Sequence, residues 1–137
     1  MAILTGNDIY KVIDNVMDNV IDDIQRTIEN FDGMEAGIDI GSADLDFHMW
    51  KYSNKIHGFE FFTHLRFYLD GEDWILDSRD YDGCETKYAT VDADGFVHRT
   101  ENTNVPFPFT MDHIDMILVE LENGILKNRR KAGENNG

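Results

Sequence analysis

Apolar residues recur along the N-terminal part of the chain at three- and four-residue intervals. Ile9, Val12, Ile13, Val16, Val20, Ile21, Ile24, Ile28 and Phe31 therefore share one face of an amphipathic helix over residues 7–31. Thr5 and Asn7 are both N-cap candidates, and Asn30-Phe31-Asp32-Gly33 supplies a glycine stop. β-Branched residues crowd this face and lower intrinsic helix propensity, so burial has to supply the stability.

From about residue 36 to residue 101 the period changes to two. Leu45, Phe47 and Met49 alternate with Asp46, His48 and Trp50. Phe61, Thr63, Leu65, Phe67 and Leu69 alternate with Glu60, Phe62, His64, Arg66 and Tyr68. Such strands bury one face and leave the other partly wet, and Phe62 and Tyr68 predict partial cover on that second face. Asp-Gly dipeptides follow at Asp70-Gly71, Asp82-Gly83 and Asp94-Gly95, each twelve residues after the last. Both residues tolerate positive φ, so these are hairpin turns between strands at Trp74–Arg79, Glu85–Val91 and Phe96–Glu101. Alternate turns then fall at opposite ends of an antiparallel meander.

Pro106 and Pro108 make residues 102–109 a connector. Thr110 caps a second helix in which Met111, Ile114, Ile117, Leu118 and Leu121 share a face. Asn123-Gly124 is its predicted end, although Ile125 and Leu126 could carry the apolar stripe past the glycine. The predicted fold is α+β: an N-terminal amphipathic helix, four to six antiparallel strands, and a C-terminal helix packed on the sheet. A single domain over residues 1–126 and a mobile polar tail over 127–137 complete the expected organisation.

Charge changes this picture most. Residues 1–126 carry 26 acids against 8 bases, whereas the tail brings Lys127, Arg129, Arg130 and Lys131 against Glu134. A body this acidic is not built to grip nucleic acid or an anionic membrane. The tail reads as a solvated terminus, with a crude nucleic-acid handle as the alternative. Asp14, Asp18 and Asp22 stand at i, i+4 and i+8 on the outer side of the first helix. Like charges so spaced cost about 0.2–0.5 kcal/mol per pair. Asp70, Glu72, Asp73, Asp80, Asp82, Asp92 and Asp94 add carboxylates at the turn tips. A solubility face explains these acids blandly; a negative surface shaped to meet a basic groove explains them functionally.

Other chemistry is thinner. Thr90–Gly95, with Val97 and Glu101, matches several positions of an EF-hand loop, but Thr90 stands where Asp belongs and both flanks read as strands. Asp44, Asp46 and His48 share a strand face, and His64 could join them from a neighbour to hold a transition metal. A half-exposed polar sheet face is the simpler account of the same residues. Cys84 is the one thiol, so no internal disulfide forms and a reducing, cytoplasmic compartment is expected. Acids beside it raise its pKa and blunt it as a nucleophile, and neither His98 nor His113 is tied to it by any motif. The opening MAILTGNDIYK is too short and too soon charged for a signal peptide, and no apolar run reaches membrane length.

The leading expectation is a non-catalytic, cofactor-free protein that masks a basic, nucleic-acid-binding surface of a partner, as a DNA mimic or a nuclease immunity protein would. The ten acids at Asp14, Asp18, Asp22 and the turn tips are its expected contacts. A dimeric acidic chaperone holding a partner segment on Phe62 and Tyr68 is the second reading, and a small metal-dependent enzyme using Asp44, Asp46, His48 and His64 the third.

Overall fold

In the computed structural model, which describes residues 4–27, 35–53, 58–79 and 85–135, helix α1 spans Gly6–Thr27 and helix α2 spans Met111–Asn135. Between them run β1 (Glu35–Ile40), β2 (Asp44–Ser53), β3 (Gly58–Asp70), β4 (Asp73–Arg79), β5 (Glu85–Val91) and β6 (Val97–Arg99). The six strands form one sheet in the order β1-β2-β3-β4-β5-β6, every pair antiparallel. The expected α+β meander is what forms.

Thr5, not Asn7, caps α1. The Thr5 backbone N–H donates to Asp8 Oδ2 at 2.8 Å, and the Asp8 N–H donates back to Thr5 Oγ1 at 3.3 Å. This reciprocal box satisfies two N–H groups at the helix start. The predicted helix stop at Asn30–Gly33 lies outside the described residues. At α2, Thr110 caps as expected, but its box partner is a histidine. The Thr110 N–H donates to His113 Nδ1 at 3.1 Å, and the His113 N–H donates to Thr110 Oγ1 at 3.3 Å. Nδ1 is thus an acceptor, which puts the ring proton on Nε2, and Nε2 donates to Asp23 on α1 at 2.6 Å.

Alternation assigns the two sheet faces. Leu45, Phe47, Met49, Leu65, Phe67, Trp74, Leu76, Ala89 and Val91 point to one side and are buried. Ile9, Ile13, Val20 and Ile24 of α1 close over them, joined by Ile114, Ile117, Leu118 and Leu121 of α2 in one core. Helix α2 packs chiefly on α1 and reaches the sheet at β6. Trp74 is fully buried, and its indole N–H donates to the Leu4 carbonyl at 2.6 Å, tying the N-terminal segment to the sheet. The Tyr88 hydroxyl donates to the Asn104 carbonyl and lies 2.8 Å from Ser78 Oγ, pinning the connector. Burial raises the Tyr88 phenol above its ordinary value. No helix among the described residues is long and apolar enough to cross a membrane.

The predicted end of α2 at Asn123-Gly124 is corrected. The helix continues through Gly124 to Asn135, so the backbone of residues 127–135 is helical. A Cβ at position 124 would sit 2.7 Å from Val12 Cγ1 on α1. Glycine here admits close helix approach and is not a stop signal. Gly124→Ala should therefore destabilise the protein by about 1–3 kcal/mol through overpacking, although alanine gains about 1 kcal/mol in helix propensity. Urea unfolding of the two proteins measures the balance, and an unchanged or raised midpoint contradicts this packing.

Candidate functional site

The sheet face turned away from the helices carries the ionisable chemistry. Residues 46, 48 and 50 of β2 point there, as do 62, 64, 66 and 68 of β3. The register sets His48 directly opposite His64, Asp46 opposite Arg66, and Trp50 opposite Phe62. On the other flank Gly37 of β1 faces His48, and Asp39 faces Asp46. Six of them, Asp39, Asp46, His48, Trp50, Phe62 and His64, line an open recess of about 230 Å³.

Within it, Asp46 Oδ1 lies 2.8 Å from His64 Nδ1 and 3.7 Å from His48 Nδ1. The two imidazole centroids are 5.6 Å apart. Phe62 meets His64 edge-on at 4.5 Å, stacks with His48 at 6.4 Å, and His48 also contacts Trp50 at 5.3 Å. His48 Nδ1 is buried without a hydrogen-bond partner. Leaving such an atom unsatisfied costs about 1–3 kcal/mol. Its ring packs against Gly37, where a Cβ would stand 2.8 Å from His48 Nε2 and would oblige the ring to shift. Of the sequence-predicted set, Asp46, His48 and His64 come together, while Asp44 stands at the start of β2 opposite Tyr68. Gly37, Asp39, Trp50 and Phe62 complete the recess. Their matching strand parity is visible in the sequence, but the pairing that unites them is not.

Next along the same face, Arg66 makes a two-pronged contact with Asp77, Nε to Oδ1 at 2.9 Å and Nη2 to Oδ2 at 2.6 Å. Glu85 accepts from Arg66 at 3.2 Å and also from Arg79. The Asp77 side chain is only 3% exposed. Burial holds its carboxyl above the usual range, with Arg66 opposing, while the hydrogen bond to Asp77 raises the guanidinium. Arg79, and then Arg66, pull the exposed Glu85 below its ordinary value. Arg66 also lies over the Tyr68 ring at 5.3 Å. Phe62 and Tyr68 are thus half-buried and engaged with their neighbours.

The acids expected to bind a partner divide by position. Asp14, Asp18 and Asp22 are exposed on α1. Asp70, Glu72 and Asp73 at the β3–β4 turn and Asp92 and Asp94 at the β5–β6 turn lie at the same end of the sheet, because alternate turns of a meander do. Gly71 and Gly95 hold the positive φ these turns need. Asp80, Asp82 and Cys84 lie outside the described residues. None of Asp14, Asp18, Asp22, Asp70, Glu72, Asp73 and Asp94 forms an ion pair among the described residues. The local field is felt by Tyr10, whose phenol is raised by hydrogen bonding to Asp14 and then by the charges of Asp14 and Asp18.

Asp92 differs from the other tip acids. Its Oδ1 accepts the N–H groups of Asp94 and Phe96, both at 3.0 Å, and its Oδ2 pairs with His98 at 2.8 Å. Burial alone would push this carboxyl up, but His98 and the two backbone donors hold it below the usual range. The segment matched to an EF-hand is a hairpin turn between strands β5 and β6. The chain matches no protein family, and no curated protein or solved structure shows significant similarity to it.

Arg66→Met should cost about 3 kcal/mol at pH 7 by leaving the Asp77 charge buried and without its main partner. Burial then acts on Asp77 with little to oppose it, so the folded state binds that proton more tightly than the unfolded chain. The variant's stability accordingly falls as pH rises through the carboxylate range. Urea titrations at pH 4 and pH 7 should show the smaller deficit at pH 4. A deficit independent of pH would mean that Asp77 is not the group responsible.

Proposed function

We propose that the protein is a non-catalytic acidic binding protein that occupies a basic, nucleic-acid-binding surface of a partner protein. The observation that supports this reading is where the cations are spent. Arg66 and Arg79 are tied to Asp77 and Glu85 on the outer sheet face, and Arg99 bridges Asp115 and Glu122 on α2. Asp14, Asp18 and Asp22 of α1 and the acids of the β3–β4 tip form no ion pair among the described residues, and Arg26, four residues after Asp22, donates to the Asp22 backbone carbonyl at 3.4 Å and not to its carboxylate. A sequence selected for stability alone gains by placing a base within the Asp14, Asp18, Asp22 series, because oppositely charged i,i+4 pairs stabilise a helix.

In this mechanism the carboxylates take the place of phosphates in a Lys/Arg-lined groove, and the helix and sheet end block it sterically. Carboxylates one helical step of four residues apart rise about 6 Å along the axis, against about 3.4 Å per phosphate on one DNA strand. The imitation is therefore of charge density and not of individual phosphates. Long-range attraction speeds encounter and is screened by salt.

The test is affinity chromatography of host extract on the immobilised full chain, eluted with salt and with duplex DNA. A basic nucleic-acid-binding protein should be retained and displaced by the DNA. Its affinity should fall at least about tenfold between about 50 and 200 mM salt, because added ions screen the attraction between exposed charges. The triple variant Asp14→Asn, Asp18→Asn, Asp22→Asn should bind it at least about tenfold more weakly, a difference of roughly 1.4 kcal/mol. A partner indifferent to both salt and the triple substitution refutes the reading.

A further inference from the structure

We propose that Asp46, His48 and His64 form a three-ligand site for a divalent transition-metal ion of the zinc class, seated in the recess they share with Trp50 and Phe62. The inference is independent of the acidic-surface reading, for it concerns the opposite face of the sheet and a different set of residues.

Three observations carry it. First, one donor atom from each of the three side chains can be chosen so that all lie within 4.8 Å of one another. Bonds of about 2.0–2.2 Å to a tetrahedral ion set neighbouring donor atoms roughly 3.3–3.5 Å apart. The Asp46 Oδ1 distances of 2.8 Å to His64 Nδ1 and 3.7 Å to His48 Nδ1 straddle that spacing. All three donors project from one face of two paired strands, so side-chain rotation is the movement that would bring them to a common ion. Second, His48 Nδ1 is buried and unpartnered. It makes no hydrogen bond and its nearest carboxylate oxygen, Asp46 Oδ1, stands 3.7 Å away, a position from which the neutral ring can offer Nδ1 to a metal ion held at that carboxylate. Third, the chain accommodates this ring at the expense of β1, where glycine replaces a side chain that would stand 2.8 Å from His48 Nε2. Glycine weakens a strand interior, and its use there marks a close approach by another group.

The donor set indicates the class of ion. Two imidazoles and one carboxylate suit zinc, cobalt or iron in the divalent state, whereas calcium and magnesium take oxygen donors. Ligation through Nδ1 leaves each ring proton on Nε2, so His64 exchanges its hydrogen bond with Asp46 for a shared bond to the ion. Three protein ligands leave at least one coordination position for water or a small anion. Trp50 and Phe62 would flank that position, in a recess open to solvent.

The experiment uses the full chain stripped with chelator, and Zn²⁺ and Co²⁺ as the probes. Calorimetry should give one Zn²⁺ per chain, and Co²⁺ should produce the visible absorption of a four- or five-coordinate ion with nitrogen donors. His48→Ala and His64→Ala should each weaken binding at least tenfold. His98→Ala, which removes the imidazole paired with Asp92 in the β5–β6 hairpin, should leave it unchanged. Should either alanine variant fail to fold by circular dichroism, histidine NMR of the wild-type chain decides: Zn²⁺ should shift the imidazole signals of His48 and His64 and spare those of His98 and His113. Absence of stoichiometric binding, equal weakening by His98→Ala, or uniform shifts across the histidines would overturn the site.

Discussion

Everything in this molecule follows from one buried interface: the inward face of the meander under two helices. Leu45, Phe47 and Met49, with their neighbours on β3, β4 and β5, must face α1 and α2 to leave water. Each fully buried aliphatic or aromatic side chain of this kind contributes about 1.5–3 kcal/mol. Because strand side chains alternate, this requirement also dictates what faces outward. Asp46, His48 and His64 are brought together by the same alternation that buries Leu45, Phe47 and Leu65. A one-residue slip of β2 would expose the core positions and scatter the recess in a single step.

The outer sheet face and the helix surface treat charge differently. On the sheet, Arg66 sits between Asp77 and Glu85, and the buried carboxylate is tolerated because the guanidinium fork satisfies both its oxygens. On α1, Asp14, Asp18 and Asp22 follow one another with no Lys or Arg between them. The first arrangement fixes geometry, and the second projects a field into solvent. Keeping them on separate surfaces lets the same chain hold an ordered polar recess and a strongly anionic exterior.

Much of the fold was legible in the residue pattern. Three- and four-residue spacing gave α1 and α2, period-two alternation gave the faces of β2 and β3, and Asp-Gly at 70–71 and 94–95 gave two of the turns. What stayed hidden depended on partners distant in sequence. Gly124 reads locally as a helix stop, yet the side chain that explains it belongs to Val12. Position 113 of the α2 cap is occupied by His where Glu or Gln is the usual partner, so the box was invisible to the standard pattern. Asp46 and His48 could be placed on one face from their spacing. Their meeting with His64 rests on a pairing register that is interrupted by an irregularity at Lys51/Tyr52 and that no local signal announces. Asp77 alternates like a solvent-facing residue; its burial comes from the neighbouring strands.

The neighbour-to-neighbour strand order also governs how the chain closes on itself. Each strand pairs with the one that follows, so every ladder joins segments already near each other and forfeits little loop entropy. The contact between α1 and α2 is of another kind, since it unites the two extremities of the chain. Topology thus favours hairpin zipping before helix docking. Until that docking occurs, the apolar side of the sheet stands open, and the interval is when the protein is most exposed to aggregation.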